Sequence, residues 1–103
     1  MEPKIWEIAI VNPNLIKISG DLNFKTVAAA KVNGEKLLDS ISNAKIDLSE
    51  VKRIDSSCLS FLMSLLRYAK AKHKVLEFIN LPSRLINLSR VSGVDEILPI
   101  GKT

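Results

Sequence analysis

Asp55, Ser56, Ser57 and Cys58 stand in a row within the stretch VKRIDSSCLSFL, residues 51–62, where a polar turn meets an apolar run. A carboxylate, two hydroxyls and a thiol at a helix start admit three kinds of chemistry. The first is an ordinary N-cap, since the Asp55 carboxylate can accept the unpaired N–H groups of the first turn. The second is a phosphate-accepting switch. A phosphate on Ser56 or Ser57 brings up to about two negative charges to the positive end of the helix dipole, beside the repelling Asp55. The third is nucleophilic catalysis by Cys58, whose thiol a helix N-terminus helps to ionise.

The third reading lacks a base. His73 is the only histidine, 15 residues further on, near the end of the same helix. At ~1.5 Å per residue it is roughly 22 Å away, far beyond hydrogen-bond reach. A serine triad fails for want of the same base. His73, between Lys72 and Lys74, reads as a solvated residue at the helix C-terminus. One Cys and one His supply no zinc-ligand spacing, and no phosphate-binding glycine loop is present. The chain therefore reads as non-enzymatic, with no metal or cofactor expected.

A surface remains. Along the helix that follows, Leu59, Leu62, Leu66 and Ala69 make an apolar stripe, flanked by Phe61, Leu65 and Tyr68. Ser57, Ser60, Ser64 and Arg67 recur at spacings of three and four on another face. Spacing alone fits a plain solvated face. Small serines also form a smooth platform that another protein's backbone can approach closely, and Arg67 with Lys70 gives it a positive rim for an acidic partner.

The elements that must position these residues follow from periodicity. IWEIAIV alternates around Trp6, Ile8 and Ile10, Asn12-Pro13-Asn14 turns, and LIKIS begins a second strand, which together read as a β-hairpin. Gly20 to Asn23 reads as a loop. Val27, Lys31, Glu35 and Leu38 keep helical spacing. Asn33-Gly34 inside that helix costs about 1 kcal/mol relative to alanine, and is open to three readings: a close approach to the sheet, a break, or a weak helix. AKIDLS is a short third strand buried through Ile46 and Leu48. A helix from about Ser56 to Lys72, the strand KVLEFIN, and a helix from Pro82 to about Val91, stopped by Ser92-Gly93, come next. DEILPI closes the chain as a short strand or helical turn. The order ββαβαβα describes a single α/β domain over residues 1–103. Its mixed sheet has four to five strands covered by helices, with parallel, right-handed crossovers.

Composition narrows the function further. A chain of 103 residues, 47% hydrophobic and 25% charged, supports one soluble globular domain and little disorder. The net charge of +4 is spread along the chain. The five aromatics, Trp6, Phe24, Phe61, Tyr68 and Phe78, sit in apolar patterns, not in the basic, base-stacking footprint of a nucleic-acid binder. One cysteine permits no internal disulfide. Glu2, Lys4 and Glu7 interrupt any signal-peptide core, and the longest apolar stretch, Phe61 to Leu66, is far below the ~20 residues of a membrane span. A cytoplasmic protein without direct membrane insertion is expected.

IDLS, IDSSCL, VLEFIN and LSRVSGVDEIL match, in order and spacing, the pattern of the STAS domain, which the chain resembles over residues 44–99 and by layout before that. Within the family, FINLPSRL followed by LSRVSGVDEILP is most similar to the STAS subunits of a bacterial phospholipid-trafficking ABC transporter that maintains outer-membrane lipid asymmetry. The resemblance implies a non-catalytic subunit bound to the transporter's ATPase subunit and, through it, to the membrane permease. It implies that Ser56, directly after the motif aspartate, lies at the ATPase contact. In the anti-sigma-factor antagonists of the same family the phosphorylated serine matches Ser57, which makes such a serine switch the alternative function. The partner-binding set expected is Asp55, Ser56, Ser57, Ser60, Ser64 and Arg67. One departure is plain: the family's glycine after the serine pair is Cys58 here.

Overall fold

The computed structural model describes residues 5–101; Glu2 and Lys4, used above against a signal peptide, lie outside the described residues, as do the ends of the expected 1–103 domain. Two strands open the chain, β1 (Trp6–Asn12) and β2 (Leu15–Leu22). They pair antiparallel around the turn at Pro13 and Asn14, where Asn12 Oδ1 accepts the Asn14 N–H at 3.1 Å. Helix α1 (Val27–Leu38) follows, then β3 (Asn43–Ile54), α2 (Ser56–Ala71), β4 (Val75–Ile79) and α3 (Ser83–Val91). The sheet order is β1-β2-β3-β4, with β2, β3 and β4 parallel. Asp95 to Leu98 form a turn, and Ile100 adds an isolated parallel bridge to Phe78 in place of a fifth strand. This is the ββαβαβα layout with a mixed sheet.

Alternation decides which face of the sheet is covered. Ile16, Ile18 and Leu22 on β2, Ala44, Ile46 and Leu48 on β3, and Leu76 and Phe78 on β4 are buried. They join Ala30 and Leu38 of α1, the apolar stripe of α2 and Leu85 of α3 in one core. The residues between them, Lys17, Lys45, Asp47 and Glu77, stand on the opposite face and pair across the strands as Lys17 with Asp47 and Lys45 with Glu77. Lys17 and Glu50 form an ion pair at 3.3 Å. The sheet thus has one face under helices and one helix-free face that carries these charges beside the apolar Val75 and Ile79.

Two expectations change. Gly20 to Leu22 belong to β2, and only Asn23 to Thr26 form the loop. Gly20 sits at φ +91°, and a Cβ there would lie 2.0 Å from the Ile5 carbonyl oxygen. The glycine is a strand residue with a special backbone and not a loop marker. Strand β3 is twelve residues long and runs to Ile54, well past Ser49. A register shift beside Ser49 puts two consecutive exposed residues, Ser49 and Glu50, into the strand and hides the period of two. The extra length matters because it delivers Asp55 to the end of the central parallel strand.

Gly34 resolves the Asn33-Gly34 ambiguity. Helix α1 continues through it, and a Cβ at Gly34 would meet a terminal methyl of Leu65 on α2 at 3.0 Å. The close approach is therefore to α2, not to the sheet. It sets the spacing between α1 and α2, the helix whose outer surface carries the serines.

Candidate functional site

Asp55 is the N-cap of α2 in extended backbone, as the residue types predict. Its Oδ1 accepts the Ser57 N–H at 2.9 Å and also the Ser57 hydroxyl. Its Oδ2 accepts the Phe24 N–H at 3.1 Å, from the loop between β2 and α1. One carboxylate thus caps a helix and ties down a loop 31 residues away. The Ser57 hydroxyl hydrogen bond is the main reason its carboxyl is held below the usual range, with the Phe24 and Ser57 N–H groups adding to the effect against burial.

Cys58 points inward. Its side chain is fully buried in the core, where burial, and secondarily the Asp55 charge, pushes the thiol up to about 12. Such a thiol stays protonated at physiological pH. Cys58 is a small core side chain, and the first helical turn accommodates it with the Cys58 N–H donating to the Asp55 carbonyl at 3.0 Å. His73 is exposed, just past the far end of α2, in a left-handed conformation at φ 59°. The His73 and Lys74 N–H groups close the helix on the Lys70 and Ala69 carbonyls. The thiol and the imidazole do not meet. Among the described residues, no three His, Cys, Asp or Glu side chains converge as a metal site would need.

The expected serine face divides into grades of exposure. Ser56, Ser60 and Arg67 are exposed, while Ser57 and Ser64 are half-buried. The Ser57 hydroxyl is engaged with Asp55, and that of Ser64 donates to the Phe61 carbonyl at 2.8 Å. The structure brings Ser57, Ser60, Ser64 and Arg67 together along one groove of about 310 Å³, whose other wall is Val27, Ala28 and Lys31 of α1. A second groove of about 370 Å³ runs on the far side of α2, lined by Ser56, Leu59, Ser60, Met63, Arg67 and Val94. Ser60 and Arg67 border both. The serine face is thus a low ridge between two shallow grooves, with Arg67 toward its C-terminal end.

Residue types alone missed part of this surface. Phe24, expected in an apolar pattern, is 72% exposed beside the α2 cap. Phe61 and Phe78 are buried, and Trp6 and Tyr68 are partly buried against the core. The available signal was Phe24's flanks: an aromatic between Asn23 and Lys25, in a polar connection, has no apolar neighbour to pack with. The α1 wall was invisible because its contact with α2 depends on Gly34.

The arrangement is that of a small α/β domain offering a capped helix start and a serine ridge. The sequence model described as the MlaB STAS domain matches residues 11–99, and the chain belongs to that family. Solved structures of similar fold include an anti-sigma factor antagonist from Mycobacterium paratuberculosis. It is 18% identical, with 92% of this chain and 82% of that one aligned at a TM-score of 0.75. A protein of Thermotoga maritima described as an anti-sigma factor antagonist is 17% identical, covering 95% and 86%, at 0.74. The Bacillus cell fate determinant SpoIIAA in its phosphorylated form is 13% identical, covering 95% and 90%, at 0.69. At these identities the likeness is one of fold. No curated protein sequence matches the chain.

Proposed function

We propose that this chain is a non-catalytic STAS subunit that docks on the ATPase subunit of a phospholipid-trafficking ABC transporter, an MlaF-like protein, and stabilises or regulates it. The observation that carries this reading is the match to the MlaB-type STAS family over residues 11–99. The exposed ridge supports it. Ser56 and Ser60 are small and accessible, and Arg67 gives the ridge a positive end suited to an acidic partner. Asp55 serves by holding the helix start in place, and its bonds to Ser57 and Phe24 occupy both its oxygens. The protein would then work in the cytoplasm, at the inner membrane only through the transporter. No helix among the described residues is long and apolar enough to cross a membrane.

The alternative is an anti-sigma-factor antagonist with Ser57 as phosphoacceptor, favoured by the fold it shares with SpoIIAA, which is known in a phosphorylated form. Against it, the Ser57 hydroxyl is half-buried and hydrogen-bonded to Asp55, so a kinase must break that contact first. Co-purification with the organism's MlaF-like ATPase, with ATP turnover measured, tests the first reading. A stable complex with altered turnover is expected, and no complex with unchanged turnover contradicts it. A mass gain of one phosphate at Ser57, after incubation with a cognate anti-sigma kinase, would instead support the alternative.

A further inference from the structure

Two large apolar side chains stand out in solvent on either side of Asp55. Phe24 is 72% exposed, and Val91, on the last turn of α3, is 87% exposed. Between β3 and α3 lies a groove of about 370 Å³ whose apolar lining is Ile54, Leu88 and Val91, with Asp55, Arg84 and Asn87 at its edges. The Phe24 loop is not left to find its shape on contact. Its N–H is held by Asp55 Oδ2, the Thr26 hydroxyl accepts the Asn23 N–H at 3.0 Å and donates to the Asp21 carbonyl at 2.8 Å, and Asn23 Oδ1 accepts the Lys25 N–H at 2.9 Å. An aromatic presented on a braced loop loses little further freedom when it is covered.

The charges around this surface have one sign to spare. The Lys25 ammonium lies 5.9 Å from the Phe24 ring, and Arg84 is fixed across the groove mouth by donating to the Lys52 carbonyl at 3.3 Å. Arg53 is exposed on the strand leading to Ile54, whereas Lys52 lines a separate pocket with Glu7 and Glu50. The nearby carboxylates are Asp55, which accepts from Phe24 and Ser57, and Asp21, which accepts the Arg53 N–H at 3.3 Å. An apolar groove with a basic rim calls for an occupant with aliphatic side chains bordered by Asp or Glu.

We propose that Phe24 and Val91 are the apolar anchors of the partner interface, and that they receive an acid-bordered aliphatic segment of the ATPase subunit. The inference rests on the docking reading above and extends that interface from the α2 ridge across the Asp55 cap to α3. Phe24 is the residue of greatest expected weight, because exposed aromatics that become covered dominate such interfaces.

The test titrates the purified MlaF-like ATPase of the same organism with wild-type chain, Phe24→Ser, Arg84→Glu and Ser60→Arg, at low and at high salt. Phe24→Ser is expected to weaken binding about tenfold or more at both salt concentrations. Arg84→Glu is expected to weaken it about fivefold at low salt and less at high salt. Both side chains are exposed, so melting temperatures should match wild type. If Ser60→Arg weakens binding while Phe24→Ser and Arg84→Glu bind like wild type, this inference is overturned and the ridge reading stands. If only Phe24→Ser and Arg84→Glu weaken it, the inference stands and the ridge reading falls. If none of the three differs, or wild type does not bind, both fail. A concentration-dependent dimer of the chain that Phe24→Ser disperses would make the occupant a second copy and would also overturn it.

Discussion

Asp55 serves two neighbours with two oxygens, and the sharing determines what its loss costs. Asp55→Ala removes the α2 cap and the tether of the Phe24 loop together, so a loss of about 1–2 kcal/mol in urea unfolding at neutral pH is expected. The folded carboxyl titrates below the usual carboxylate range. Its contribution is therefore complete above that range and is lost as pH falls through the lowered folded value. The stability gap between wild type and Asp55→Ala should narrow in acid, and a gap that stays constant down to about pH 2 would contradict this account of the carboxylate. Cys58 makes a second residue-level prediction. With its thiol fully buried and pushed up to about 12, a disulfide-exchange reagent at about pH 8 should leave the native protein unlabelled and label it fully in urea. Fast labelling of the native chain would mean that the thiol is accessible and activated.

At the scale of elements, the contact between α1 and α2 is the feature on which the serine groove depends. Gly34 lets the helices approach, and a single Cβ there meets only the flexible end of Leu65. Gly34→Leu places a whole side chain in that space and should cost about 1–3 kcal/mol by chemical denaturation, as overpacked cores do. A neutral result would show that the helices are free to move apart. Much of this layer was legible in the residues. Val27, Lys31, Glu35 and Leu38 marked α1, and Asp55 with the Leu59 to Ala69 stripe marked α2 and its outward serines. Pro82 and Gly93 bracketed α3. Other parts were not, for physical reasons. The second half of β3 was hidden because the register shift at Ser49 and Glu50 breaks the alternation that identifies a strand. Gly20 looked like a loop residue because its positive φ occurs inside a strand that bends past Ile5. Of the site, the cap and the ridge were readable from local spacing. The Phe24 tether and the α1 wall were not, since both arise from contacts between segments distant in sequence.

The whole molecule places its proposed recognition features at one end and along one side. On the helix-free face of the sheet Lys17, Lys45, Asp47, Glu50 and Glu77 offset one another. On the other side, three helices cover the core. The loops after β2, β3 and β4, where parallel strands end together, bring Phe24, Asp55 and Arg84 into one neighbourhood, as α/β folds commonly do for their binding residues. We propose protein recognition for that surface, in keeping with the family to which the chain belongs. The most direct test is the affinity of the purified chain for its MlaF-like ATPase, compared between wild type and Ser60→Arg at equal melting temperature. A wild-type complex is expected, weakened about tenfold or more by a bulky charge on the ridge. Equal affinity for the two proteins, or no complex with wild type, would contradict it.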